Sequence, residues 1–152
     1  MLRKYSSRDL RDADIYSDSD EEMIKVFGDI GGIRGYYDDE GDKSIHIRKG
    51  YEDRALHHEM GHFLTDRKYG TTDPPKYGKY LAGRCGLIME LYCGSQAVED
   101  EGEILAEGFW MMMQHPTLAR GLMRRNQEMK EFFDDIMNNL GYRISGMRRR
   151  KR

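Results

Sequence analysis

The chain has 152 residues, 38% hydrophobic and 34% charged, and its 25 Lys plus Arg nearly balance 27 Asp plus Glu for a formal net charge of -2. That length suits one domain able to bury a modest core without staples, and the charge balance gives no general pull toward nucleic acid. No apolar run approaches a membrane span and residues 1–7 hold no hydrophobic signal region, so no membrane partner and a cytoplasmic location are expected.

Residues 1–20 are dominated by Arg, Ser and Asp, with apolar residues too sparse to define a face, and read as a flexible polar arm or a fragile helix. The folded domain is expected over 21–142. Met23 to Phe27 is short, apolar and followed by Gly28, which suits a first strand. Next, Ile33 to Tyr37 and Ser44 to Arg48 flank the turn-rich Asp38-Asp39-Glu40-Gly41-Asp42, so a β-hairpin is the simplest outcome. In its second arm Ile45 and Ile47 share one face, while Ser44, His46 and Arg48 share the other; His46 reads as a solvent-side strand residue rather than a ligand.

His58-Glu59-Met60-Gly61-His62 follows, with Ala55, Leu56, Met60, Phe63 and Leu64 at helical spacing. Glu52 and Asp53 sit where a helix start favours negative charge, and Lys68 and Gly70 end the run. On a helix, residues four apart lie one turn above each other, so the imidazoles of His58 and His62 can reach one metal ion with Glu59 beside them. This is the outline of a zinc-peptidase site. Residues 69–78, crowded with Gly and Pro, read as a loop, and Lys79 to Tyr92 as a helix weakened by Gly83 and Gly86. Cys85 and Cys93 are too far apart on that helix for a local disulfide and lack paired CxxC spacing, so reduced core thiols are expected.

The segment from Glu99 to Met113 opens with acids and then becomes apolar almost all round, as a buried helix does. Glu103 and Glu107 lie four apart on one face of it. Burying a carboxylate without a partner costs several kcal/mol, so this pair must meet cations, protonated groups or a metal. Pro116 breaks the helix. Thr117 can cap a next one running to about Asn139, with Leu122, Met129, Phe132, Phe133, Ile136 and Leu140 inward and Gly141 as its stop. Residues 143–152 form a basic tail, read as a solvated end for which nucleic acid is the less expected partner.

A catalytic zinc ion needs three protein ligands and one open position. The residues after His62 lack the metzincin Gly and His, which leaves a downstream carboxylate, either Asp73 or Glu103. Asp73 lies in Gly70-Thr71-Thr72-Asp73-Pro74-Pro75-Lys76-Tyr77-Gly78, which resembles the GTxDxxYG signature of aspartate zincins with one residue too many. His58-Glu59-Met60-Gly61-His62 followed by Glu103-Ile104-Leu105-Ala106-Glu107-Gly108-Phe109 resembles the HExGH and ExFAExF motifs of the anthrax-lethal-factor-like zinc peptidases. These are gluzincins with phage- and toxin-associated relatives, and the likeness spans about Glu21 to Leu140.

The resemblance implies a compact α+β zincin-like domain: a small N-terminal hairpin or sheet, the HExxH helix, and a mainly helical C-terminal half. It implies a zinc metalloendopeptidase in which His58, His62 and Glu103 hold Zn2+, Glu59 is the general base and Glu107 orients a ligating histidine. It also implies an extended peptide or protein substrate held on a strand edge, here around Ser44 to Arg48. Family members often carry an oxyanion-stabilising tyrosine seven residues before the ligand Glu. This chain has Gln96 there, with Tyr92 one turn upstream and Tyr77 further back. The alternative the resemblance leaves is a non-catalytic structural or interaction module.

Overall fold

The computed structural model describes residues 2–4 and 13–147, with side chains from residue 13 onward. The fold is α+β: a four-stranded sheet near the N-terminus, then a helical C-terminal half. The strands are β1 (Leu2–Lys4), β2 (Asp14–Asp18), β3 (Gly35–Tyr37) and β4 (Ile45–Arg48), in the order β1-β2-β4-β3. β3 and β4 form the expected antiparallel hairpin, while β2 runs parallel to β4 with Ile15 opposite Ile45.

Two expectations fail here. Residues 14–18 are no part of an arm, because β2 lies inside the sheet with Ala13, Ile15 and Asp18 buried. A strand this short needs only one inward apolar side chain, and Ile15 supplies it; the arm expectation for residues 5–12 lies outside the described residues, as does half of the basic tail, 148–152, while in the described half Ile144 is buried in the core rather than solvated. Residues 23–27 belong to a helix, α1 (Asp20–Phe27), rather than a strand. Ser19 and Glu22 close a capping box, Ser19 Oγ accepting from Glu22 N at 3.2 Å and Glu22 Oε1 from Ser19 N at 3.1 Å. Three acids fill the first turn, so capping and the helix dipole outweigh the strand preference of Ile24, Val26 and Phe27, which remain exposed.

Alternation along β4 is as expected, with Ile45 and Ile47 buried inward. The opposite face is not left to solvent. His46 is stacked between Tyr16 and Tyr36, ring centroids 4.9 and 4.5 Å away. Its Nδ1 lies 2.8 Å from Asp18 and its Nε2 2.7 Å from the hydroxyl of buried Ser44. A residue with both ring nitrogens engaged this way pins the parallel β2–β4 pairing rather than binding metal.

α2 (Glu52–Tyr69) carries the metal motif and ends as expected at Gly70, in the left-handed region at φ 73°. The following helix is two, α3 (Gly78–Ala82) and α4 (Arg84–Cys93), parted at Gly83. There the Glu128 carboxylate accepts from the N–H groups of Arg84 and Cys85, both at 3.1 Å, and fills the space a Cβ at Gly83 would need. α5 (Glu101–Gln114) is capped by Asp100, which accepts from Glu103 N at 2.8 Å.

The last long helix is also split, into α6 (Pro116–Arg125) and α7 (Gln127–Leu140), because the Asn126 side chain caps α7 through Met129 N. Pro116 takes the first position of α6, so Thr117 is not its cap. Gly141 ends α7 at φ 79°. The inward residues of α7, Met129, Phe132, Phe133 and Ile136, are fully buried against α5 and Tyr80. No helix among the described residues is long and apolar enough to cross a membrane.

Candidate metal centre

α2 and α5 cross closely because nothing stands between them at the contact. A Cβ on Gly61 would lie 3.0 Å from Ala106 Cα. Small residues let backbones approach, and here they set the spacing of the two functional faces. His58 and His62 point from α2, Glu103 and Glu107 from α5. His58 Nε2 is 3.2 Å from Glu103 Oε2, and His62 Nε2 is 3.0 Å from Glu103 Oε1. The two Nε2 atoms are 3.1 Å apart. Glu107 Oε1 sits 3.0 Å from His58 Nδ1, on the far side of the ring.

The donor set fits a cation. His58 donates through Nδ1 to Glu107, so a neutral His58 presents a lone pair at Nε2, facing Glu103 and the Nε2 of His62. Three acceptors converging on one point need a positive centre, either protons or a metal. Ligands of a tetrahedral zinc at about 2.0–2.2 Å stand roughly 3.3–3.6 Å from one another, close to the separations here. His58, His62 and Glu103 are the metal-capable group found among the described residues.

Without metal the cluster is held by charge. Burial opposes ionisation of both partners, yet hydrogen bonds from His58 and His62 hold the Glu103 carboxyl well below the usual carboxylate range. Hydrogen bonds to Glu103 and Glu107 likewise outweigh burial and raise His58 well above the ordinary imidazole value. Glu59 is buried with its Oε1 4.0 Å from His58 Nε2. Burial raises its carboxyl above the usual value against the opposing pull of the imidazoles, leaving it a stronger base than a solvated glutamate.

The group opens into a cleft of about 1120 Å³ between β3, α2, α5 and the end of α4. Asp73, the other candidate ligand, lies outside the group: it accepts from Gly102 N at 3.0 Å and helps cap α5. Tyr77 is wholly buried in the aromatic core and is not among the cleft-lining residues. Tyr92 and Gln96, by contrast, both line the cleft. Cys85 is a buried core thiol as expected, but Cys93 is half-buried in the cleft wall, where burial and Glu107 push its thiol up to about 12. The strand edge also moves: β4 lies between β2 and β3, so the free edge beside the cleft is β3.

Sequence reading missed Gly35 as part of this site. A Cβ there would stand 3.3 Å from Glu59 Cγ and 2.8 Å from the His46 carbonyl oxygen, so glycine lets β3 lie directly against the base. Its place in the middle of the expected hairpin arm, Ile33 to Tyr37, was the available signal. Comparison with known proteins returned no match, whether to a family model, a curated sequence or a solved structure.

Proposed function

We propose that the protein is a zinc-dependent peptidase of gluzincin type, in which His58, His62 and Glu103 hold the ion and Glu59 is the general base. The observation that carries this reading is the convergence of those three ligand groups within 4.8 Å of one another, beside a buried glutamate and at the floor of an open cleft. A purely structural site has no use for a general base or a large cleft.

Zinc bound there would supply Lewis acidity to a water and to the scissile carbonyl. Glu107 accepts from His58 Nδ1 and fixes the ring so that Nε2 faces Glu103 and His62, with which it would hold the ion. Glu59 takes a proton from the attacking water on one carboxylate oxygen and passes it to the departing amine, ending ionised as it began. β3 offers its free edge to an extended peptide, and Gly35 keeps that edge close to Glu59. Tyr92 and Gln96 line the cleft, and each carries a donor that could serve a developing oxyanion.

Metal analysis after reconstitution is expected to find about one zinc per chain. A diverse peptide library is expected to be cleaved by the wild type, with cleavage lost on chelation and in Glu59→Gln, which retains zinc. No bound zinc after reconstitution would overturn the reading. Zinc without cleavage would assign the site to a structural or interaction module.

A further inference from the structure

We infer that the cleft selects its peptide by charge, taking an acidic side chain on the side of the α2 N-terminus and a basic one on the other side of Glu59. This rests on the peptidase reading for the position of the scissile bond.

The geometry fixes two ends. β3 runs in the same sense as α2: Gly35 lies against Glu59, while Tyr37 donates to Asp66 at 2.7 Å and meets Phe63 edge-on. Arg34, one residue back, therefore lies toward the first turns of α2, which carry Arg54. α5 runs the other way. Glu103 meets His62 and Glu107 meets His58, and Gln114 at its end bonds His57 Nδ1 at 3.0 Å and the Asp53 carbonyl. Trp110 and His115 thus belong to the same end as Arg34 and Arg54, and all four line the cleft.

Neither guanidinium has an acidic partner among the described residues, and both are exposed. Trp110, packed against His115, has a buried indole Nε1–H with no acceptor among the described residues. This end is cationic and carries an unused donor. The opposite end is lined by Asp39 and Glu99, beside Thr72. Its neighbouring cation, Lys43, is already held by Asp66 at 2.9 Å. A cleft with opposite charges at its two ends orients a peptide of complementary polarity, since low-dielectric walls focus the field along its length.

The test uses three peptides on one backbone: neutral, acidic then basic about the cleavable bond, and the reverse. Cleavage is measured with the zinc-loaded wild type, and binding by fluorescence anisotropy with zinc-loaded Glu59→Gln. One charged orientation is expected to exceed the other in kcat/KM and in affinity by about four- to twenty-fivefold, from roughly two- to fivefold per exposed ion pair. Arg54→Glu and Arg34→Glu are each expected to weaken that preference, and together to reverse it.

Cleavage indifferent to orientation, or a preference unaltered in the double variant, would overturn charge selection and leave the peptidase reading standing. Oriented binding without cleavage by the wild type would uphold charge selection and overturn the peptidase reading. Neither binding nor cleavage would overturn both.

Discussion

Replacing Gly61 with alanine tests whether the contact between α2 and α5 sets the metal geometry. The new Cβ would lie 3.0 Å from Ala106 Cα and 3.4 Å from Ala106 Cβ and carbonyl oxygen. Ordinary carbon contacts are about 3.5–4.0 Å, and the obstructing atom is backbone that no rotamer change can move. The helices must part by several tenths of an ångström. Overpacking of this kind costs about 1–3 kcal/mol, offset by about 1 kcal/mol from replacing glycine inside a helix.

Net destabilisation is therefore about 0–2 kcal/mol, a fall in Tm of up to roughly 8 °C for a domain of this size. The larger effect belongs to the site. Glu103 lies one turn before Ala106, so moving α5 draws its carboxylate away from both imidazoles. Zinc affinity is expected to fall about tenfold, roughly 1.4 kcal/mol. Competition against a chelating dye and melts with and without zinc measure the two effects. Wild-type zinc affinity together with a raised Tm would refute the reasoning, because helix propensity would then be the only consequence of the change.

Glu107→Ala removes the acceptor for His58 Nδ1–H and is expected to weaken zinc binding about 10- to 100-fold without unfolding the chain; undiminished affinity in a chelator titration would deny Glu107 its orienting role. Gly108→Ala would place a Cβ 2.6 Å from Phe132 Cζ and 2.7 Å from Ile136 Cδ1, and is expected to cost about 1–3 kcal/mol in urea unfolding, so unchanged stability would rule out the tight α5–α7 contact. The zinc-free cluster depends on pH from both sides. His58, raised from 6.5, stabilises the fold fully below that value and loses this as pH climbs through its folded value, whereas Glu103, lowered from 4.5, contributes above 4.5 and loses this as pH falls through its folded value. Their joint contribution is greatest between 4.5 and 6.5, and because zinc must displace the His58 proton, the Tm gain from added zinc is expected to grow from about pH 6 to about pH 8. A gain that does not vary with pH would contradict that linkage.

What could be read from the sequence followed from local physics. The four-residue spacing of His58 and His62 puts both on one helix face whatever packs against it, and Gly70 and Gly141 end helices by backbone conformation alone. Glu103 and Glu107 stood out because two carboxylates on an apolar helix must be neutralised; the structure meets that demand with the same two histidines. The capping box at Ser19 and Glu22 is equally local, yet the run 23–27 reads as a strand on its apolar content alone, a wrong choice of period.

The remainder depended on partners far along the chain. β2 is a strand because Ile15 finds Ile45 across a parallel pairing that no local pattern announces. The break at Gly83 depends on Glu128 arriving from α7 to accept the first N–H groups of α4. The two guanidinium groups that line one end of the cleft come from Arg34, just before β3, and Arg54 of α2.

Gly61 stands between these two kinds of information. Within the motif it reads as an uncharged spacer whose glycine costs helix propensity. Against Ala106 it becomes the reason α5 can lie close enough for Glu103 to reach both imidazoles. A motif letter that is locally unfavourable and has no chemistry of its own thus sets the distance between the two helices, and that distance decides whether Glu103 can meet His58 and His62.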